Sequence, residues 1–159
     1  MKVRLAQINP IVGNLKYNTG LIKDIISSSR EFDIIVFPEL SLTGYPPQDL
    51  LLDKKFILET QEALADIKNI VNHQVVIMGL PIFVNDSLMN SAAVIQNKEV
   101  VGYHSKVLLP TYDVFDETRY FTPSDEISPI AVMVNNIKVN IGVQICEDLW
   151  DDSYSLKIT

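Results

Sequence analysis

The run Ile34-Ile35-Val36-Phe37, closed by Pro38 and Glu39, limits the folds open to this chain more than any other stretch. It is too short and too uniformly apolar for an amphipathic helix, so it predicts a strand covered on both faces. Val75-Val76-Ile77-Met78 repeats the signal. Helical patterns lie between these runs. Leu21, Ile22, Ile25 and Ile26 recur at helical spacing and end in three serines, Ser27 to Ser29. Asp53 stands where it can cap a second helix carrying Phe56, Ile57, Leu64 and Ile67 on one side. Ahead of both, Val3 to Ile8 alternates like a strand with one buried face. Two hairpins are predicted after Met78, turning at Asn97-Lys98 and Asn135-Asn136, where asparagine tolerates the left-handed conformation of a tight turn. The order of strand, helix, strand, helix, strand and hairpins predicts an α/β fold, a mixed sheet with helices on one face. The other face is too apolar to meet water, so something outside these elements is expected to cover it.

Composition narrows the function. The 159 residues suit one domain, and a 47% apolar share suits a packed core. Thirteen basic and 20 acidic residues give a net charge of −7, with the Lys and Arg scattered. That disfavours a nucleic-acid or anionic-membrane partner, either of which needs a basic patch. The single cysteine allows no internal disulfide. No apolar run nears the roughly 18 residues that span a bilayer. The N-terminus MKVRLAQINP lacks the pattern of a signal peptide, so the expectation is a soluble cytoplasmic protein. One Cys and two distant His offer no metal-ligand spacing, and none of the six glycines lies in a phosphate-loop pattern.

Chemistry-bearing residues collect where predicted strands end, the edge at which open α/β sheets bind ligands. Glu39 follows the Ile34–Phe37 strand, Lys106 follows the 99–103 strand, and Cys146 ends the predicted 139–145 strand. A lone strand cysteine is most often a small hydrophobe, yet Cys146 lies at a strand-to-loop corner of the kind that presents nucleophiles. Attack on a carbonyl requires its thiolate, and therefore a base or a positive field. Glu39 can be that base, or else a solvated loop carboxylate. Lys106 can be an ordinary surface charge, or a fixed donor to a developing oxyanion. His104 lies two residues before Lys106, so a Cys–His pair competes with a satisfied strand histidine.

Glu, Lys and Cys at three successive strand ends resemble the catalytic triad of the nitrilase (carbon–nitrogen hydrolase) superfamily. The local strings are narrower. Arg4-Leu5-Ala6-Gln7-Ile8-Asn9-Pro10-Ile11-Val12-Gly13-Asn14 resembles the start of the glutaminase domain in the glutamine-dependent NAD+ synthetase family. So do Phe37-Pro38-Glu39-Leu40-Ser41-Leu42-Thr43-Gly44-Tyr45-Pro46-Pro47-Gln48-Asp49-Leu50, residues 106–121, and Ile145-Cys146-Glu147-Asp148-Leu149-Trp150. One departure is Thr111-Tyr112-Asp113, where the family has Asn-Tyr-Gly.

The resemblance implies a nitrilase-like αββα sandwich, with residues 1–159 as its first half. The glutaminase domain is then incomplete at its C-terminus, and the synthetase domain is absent. It implies Glu39 as general base, Lys106 as oxyanion-stabilising residue and Cys146 as the nucleophile that forms a glutamyl thioester and releases ammonia. Tyr112 is implied at the glutamine pocket, with Phe115 and Glu117 shaping that pocket and holding Lys106. The backbone N–H of Glu147 is implied as second oxyanion donor. The small-molecule substrate is then L-glutamine, and the ammonia serves NAD+ synthesis from deamido-NAD+. No cofactor belongs to this stretch, whereas ATP and Mg2+ belong to the missing synthetase domain. The full-length parent is expected to be a homo-oligomer, and residues 1–159 alone are expected to show little activity. Two alternatives stay open, a free-standing amidase of the superfamily acting on a small amide and a non-catalytic truncated remnant.

Overall fold

In the computed structural model, residues 1–150 are described. Five strands form one sheet in chain order: β1 (Val3–Leu5), β2 (Ile34–Val36), β3 (Val75–Val84), β4 (Ser87–Gln96) and β5 (Glu99–Ser105). The first two pairings are parallel and the last two antiparallel. Each parallel crossover carries a helix, α1 (Leu15–Ser28) and α2 (Lys54–Lys68). Both helices start on side-chain caps, Asn14 accepting from the Tyr17 N–H and Asp53 from the Lys55 N–H.

The helices cover one face. Ile22 and Ile26 of α1 and Leu64 and Ile67 of α2 pack with Ile35, Val76, Met78, Ala93 and Ile95 of the sheet. The second face is covered from within the chain, contrary to the expectation that no predicted element supplies its cover. Strands β6 (Ile130–Val134) and β7 (Ile137–Ile141) do not extend the main sheet but pair as a separate two-stranded sheet. Ile130, Val132 and Val134 of β6 pack against Ile34, Val75, Ile77, Ala92 and Val94. Alternation decides this: β6 buries every second residue, so it has one apolar face to place on the uncovered side. Each large side chain so buried contributes roughly 1.5–3 kcal/mol. The central strands are therefore held from both sides.

Three boundaries differ from those predicted. The strand through Met78 continues to Val84 and turns at Asn85-Asp86, a third hairpin, both of whose turn residues have positive φ. Strand β1 stops at Leu5. Cys146 does not end a strand, because β7 closes at Ile141, whose partner Ile130 is the first residue of β6. Residues 142–145 belong to no strand, and Cys146 opens a 3-10 turn, Cys146–Leu149.

Candidate active site

Lys106 emerges just beyond β5 and is 1% exposed. Its Nζ donates to Glu39 Oε1 at 2.8 Å and to both Glu117 carboxylate oxygens, at 2.8 and 3.0 Å. Burial works against the ammonium, but the two carboxylates outweigh it and hold Lys106 above the ordinary lysine value. The positive charge is thus permanent at neutral pH.

Glu39 is brought there by an unusual crossing of backbone over β3. Leu40 has φ +46°, and a Cβ at Gly79 would lie 2.3 Å from the Leu40 nitrogen and 2.8 Å from the Glu39 carbonyl carbon. Only glycine lets the segment pass. Asn90, inside β4, donates its Nδ2 to Glu39 Oε1 at 2.7 Å and reaches Glu117 Oε2 at 3.4 Å. Oε1 of Glu39 therefore carries two hydrogen bonds, and Oε2 carries none among the described residues. Oε2 is the oxygen left to take a proton. The Tyr45 hydroxyl donates to Glu117 Oε1 at 2.8 Å. Burial and the Glu117 carboxylate push its ionisation far up, so it stays a donor.

Cys146 sits differently. It is exposed, and its φ of +46° places it in the left-handed region, which costs a non-glycine residue about 1–3 kcal/mol. Sharp turns of this kind lift a nucleophile out of the chain. A cavity of about 300 Å³ has Glu39, Gly79, Asn90, Ala92 and Cys146 among its walls. Although Cys146 is largely exposed, the partial desolvation of its sulfur pushes the thiol above its ordinary value, as does the Glu39 carboxylate, while Lys106 pulls the other way. Attack by the sulfur calls for a base, and Glu39 lines the same cavity.

The remaining predicted residues divide. Glu117 joins the lysine cluster, placed by a 3-10 turn whose first N–H donates to the Pro110 carbonyl at 3.1 Å. Tyr112 does not reach that cluster. Its hydroxyl donates to Glu147 Oε2 at 2.7 Å, and its ring meets Phe115 edge-on at 5.6 Å. Phe115 also faces the Tyr45 ring at 6.3 Å. Phe115 and Glu117 line a second cavity of about 310 Å³ with Tyr45, Leu51 and Phe121, and neither Glu39 nor Cys146 borders it. Asp113, where glycine was expected from the resemblance, holds φ +55°. Aspartate is among the few residues that tolerate this conformation, so the turn survives the change. The Glu147 N–H donates to no backbone carbonyl among the described residues.

Four residues at the site were not singled out from the sequence. Asn90 and Gly79 are visible as a polar residue and an isolated glycine inside apolar strand runs. Tyr45 and Asp148 lie inside the motif strings but had no reason, locally, to be given a task. Asp148 is 2% exposed, with its carboxylate accepting from the backbone N–H groups of Val107, Leu108 and Ile145. His104 is buried and faces Asp148, its Nε2 lying 3.6 Å from Oδ2.

Residues 2–158 match the carbon–nitrogen hydrolase family model. The glutamine-dependent NAD(+) synthetase of Thermotoga maritima is 41% identical over 95% of this chain and 26% of its own length. That of Aquifex aeolicus is 43% identical over 94% of this chain and 26% of its own. The solved glutamine-dependent NAD+ synthetase of Acinetobacter baumannii, in complex with ADP, matches with a TM-score of 0.85 at 36% identity, over 96% of this chain and 28% of that one. An amidase from Nesterenkonia sp. AN1 shares the fold at a TM-score of 0.74 and 19% identity, over 93% of this chain and 56% of its own. The chain spans about a quarter of the length of the curated relatives it matches. This protein belongs to the carbon–nitrogen hydrolase family.

Proposed function

We propose that this chain is the glutamine-hydrolysing part of a glutamine-dependent NAD+ synthetase, with residues 1–159 belonging to its carbon–nitrogen hydrolase domain. One observation carries the chemistry: a buried lysine held between two carboxylates, with one oxygen of Glu39 unbonded among the described residues and Glu39 lining the cavity that Cys146 also lines. In this reading Glu39 Oε2 takes the Cys146 proton as sulfur attacks the amide carbon of glutamine. The Lys106 ammonium and the Glu147 N–H stabilise the tetrahedral oxyanion. Glu39 then returns the proton to the leaving nitrogen, ammonia departs, and water hydrolyses the thioester with Glu39 again as base. Glu117 holds Lys106, Tyr112 borders the substrate from beside Glu147, and Phe115 shapes the pocket from the neighbouring cavity.

The identity to synthetases supports glutamine as substrate and deamido-NAD+ as eventual acceptor of the ammonia. ATP and Mg2+ belong to the synthetase part. Among the described residues no group of three His, Cys, Asp or Glu could hold a metal ion, and no step here is routed through one. No described helix is long and apolar enough to cross a membrane. The same reading places the protein in the cytoplasm, in a parent that is a homo-oligomer.

The test is mass spectrometry of the single cysteine after a rapid acid quench with glutamine or with acetamide. A glutamyl adduct on Cys146 supports the proposal. An acetyl adduct with none from glutamine points to a small-amide hydrolase, and no adduct from either to a non-catalytic chain.

A further inference from the structure

Lys106 and Cys146 lie on segments that share no strand ladder, yet one carboxylate joins the two chains beside them. Asp148 Oδ1 accepts from the Val107 N–H at 3.1 Å and the Leu108 N–H at 2.8 Å, immediately after the lysine. Oδ2 accepts from the Ile145 N–H at 3.2 Å, immediately before the nucleophile. The Asp148 N–H closes a reciprocal bond to the Ile145 carbonyl at 3.1 Å. Between Ile145 and Asp148 lie Cys146, held at φ +46°, and Glu147. A non-glycine residue keeps such a conformation only where its surroundings over-determine it. We infer that Asp148 is a positioning residue: its buried carboxylate clamps the turn that presents Cys146 to the loop that follows Lys106, and so sets the place of the sulfur relative to Glu39 and Lys106.

Three features favour a clamp over an incidental buried acid. All three N–H donors belong to residues flanking the two reactive side chains. A carboxylate can serve both segments at once because both oxygens accept, whereas an amide of the same shape offers one acceptor and turns N–H groups towards the other donors. His104 also stands at the carboxylate, its Nε2 3.6 Å from Oδ2 and without a hydrogen-bond partner among the described residues. Burial opposes the Asp148 charge, but the His104 ring and the three N–H groups outweigh it and hold the carboxyl below its usual range.

The inference rests on the Glu39–Cys146 pairing proposed above, and the experiment separates the two. Cys146 is the only cysteine, so iodoacetamide alkylation reads it alone. Rates are measured from about pH 6 to about pH 10 for the wild-type chain, Glu39→Gln, Asp148→Asn and the double variant, after circular dichroism shows each to be folded. Glu39→Gln should lower the midpoint of the thiol in the wild-type background. In the Asp148→Asn background, where the turn is released, the same change should move it by less than roughly a third as much. An equal shift in both backgrounds overturns the clamp and leaves the pairing intact. No shift in the wild-type background overturns both. Should Asp148→Asn fail to fold, amide exchange in the wild-type chain decides. The clamp requires the N–H groups of Leu108 and Ile145 to be protected to within about tenfold of each other. Free exchange at Ile145 beside a protected Leu108 overturns it.

Discussion

The two halves of the site are built on opposite terms. Around Lys106 the groups are buried, charged and bonded through side chains: Glu39, Glu117, Asn90 and Tyr45 form one connected set. Around Cys146 the side chain is exposed, and order comes from the backbone, in a short turn with a positive φ. The first half bears a desolvation cost, offset by ion pairs. The second bears a conformational cost, offset by the Asp148 carboxylate. The difference suits the proposed chemistry. A lysine meant to meet an oxyanion gains from being fixed before substrate arrives, whereas a nucleophile must be reachable.

The sharpest test removes the charge at the centre of the buried half. Lys106→Met should destabilise the chain by about 3–5 kcal/mol in urea titration, because two carboxylates are left facing each other without a cation. A change under about 1 kcal/mol would mean that the cluster is open to water and that the contrast between the halves is false. Gly79→Ala attacks the crossing that delivers Glu39. The added methyl meets backbone and cannot rotate away, so a loss of about 1–3 kcal/mol is expected, with thioester formation falling more steeply than stability. Unchanged acylation by quenched-flow mass spectrometry would mean that Glu39 does not depend on that crossing.

Smaller effects probe finer points. Tyr45→Phe deletes one hydrogen bond to Glu117 and should cost about 1 kcal/mol while leaving the acylation rate within a few-fold. Cys146→Gly should act in the opposite direction on stability, raising it by about 0.5–1 kcal/mol as the left-handed strain is relieved, while thioester formation disappears. A destabilised Cys146→Gly would show that the turn is not strained. Acid supplies the last test. The Asp148 carboxyl is held below its ordinary value in the folded state. As pH falls below about 4, the unfolded chain takes up that proton first, so the contribution of Asp148 is present above this range and lost through it. Asp148→Asn should flatten that part of the stability–pH curve, which thermal melts at successive pH values can show.

Much of the architecture is legible in the sequence, and the illegible parts share one character. The strands at Ile34 and Val75, both helices and the Asp53 cap depend on periodicity and neighbouring residues, so local reading finds them. The placement of Glu39 and Lys106 just beyond strands is legible for the same reason, whereas that of Cys146 is not, because its predicted strand stops at Ile141. The Asn85-Asp86 turn escaped because the apolar run passes through Pro81 without a break in composition. Tyr112 turned away from the lysine cluster because its partner, the Glu147 carboxylate, lies on a segment that only folding brings near.

By itself, then, the sequence determined where the main strands and both helices lie, in what order they run, and that Glu39 and Lys106 follow strands. Each of those properties is settled within a few residues of chain. Only the tertiary structure decided that β6–β7 leaves the main sheet to cover its second face. It alone decided that Asn90 and Lys106 share one oxygen of Glu39, that Gly79 must lack a side chain, and that Asp148 joins the lysine loop to the cysteine turn. These depend on donors and acceptors far apart in the chain, whose pairing is fixed by which surfaces pack and which buried groups would otherwise go unbonded.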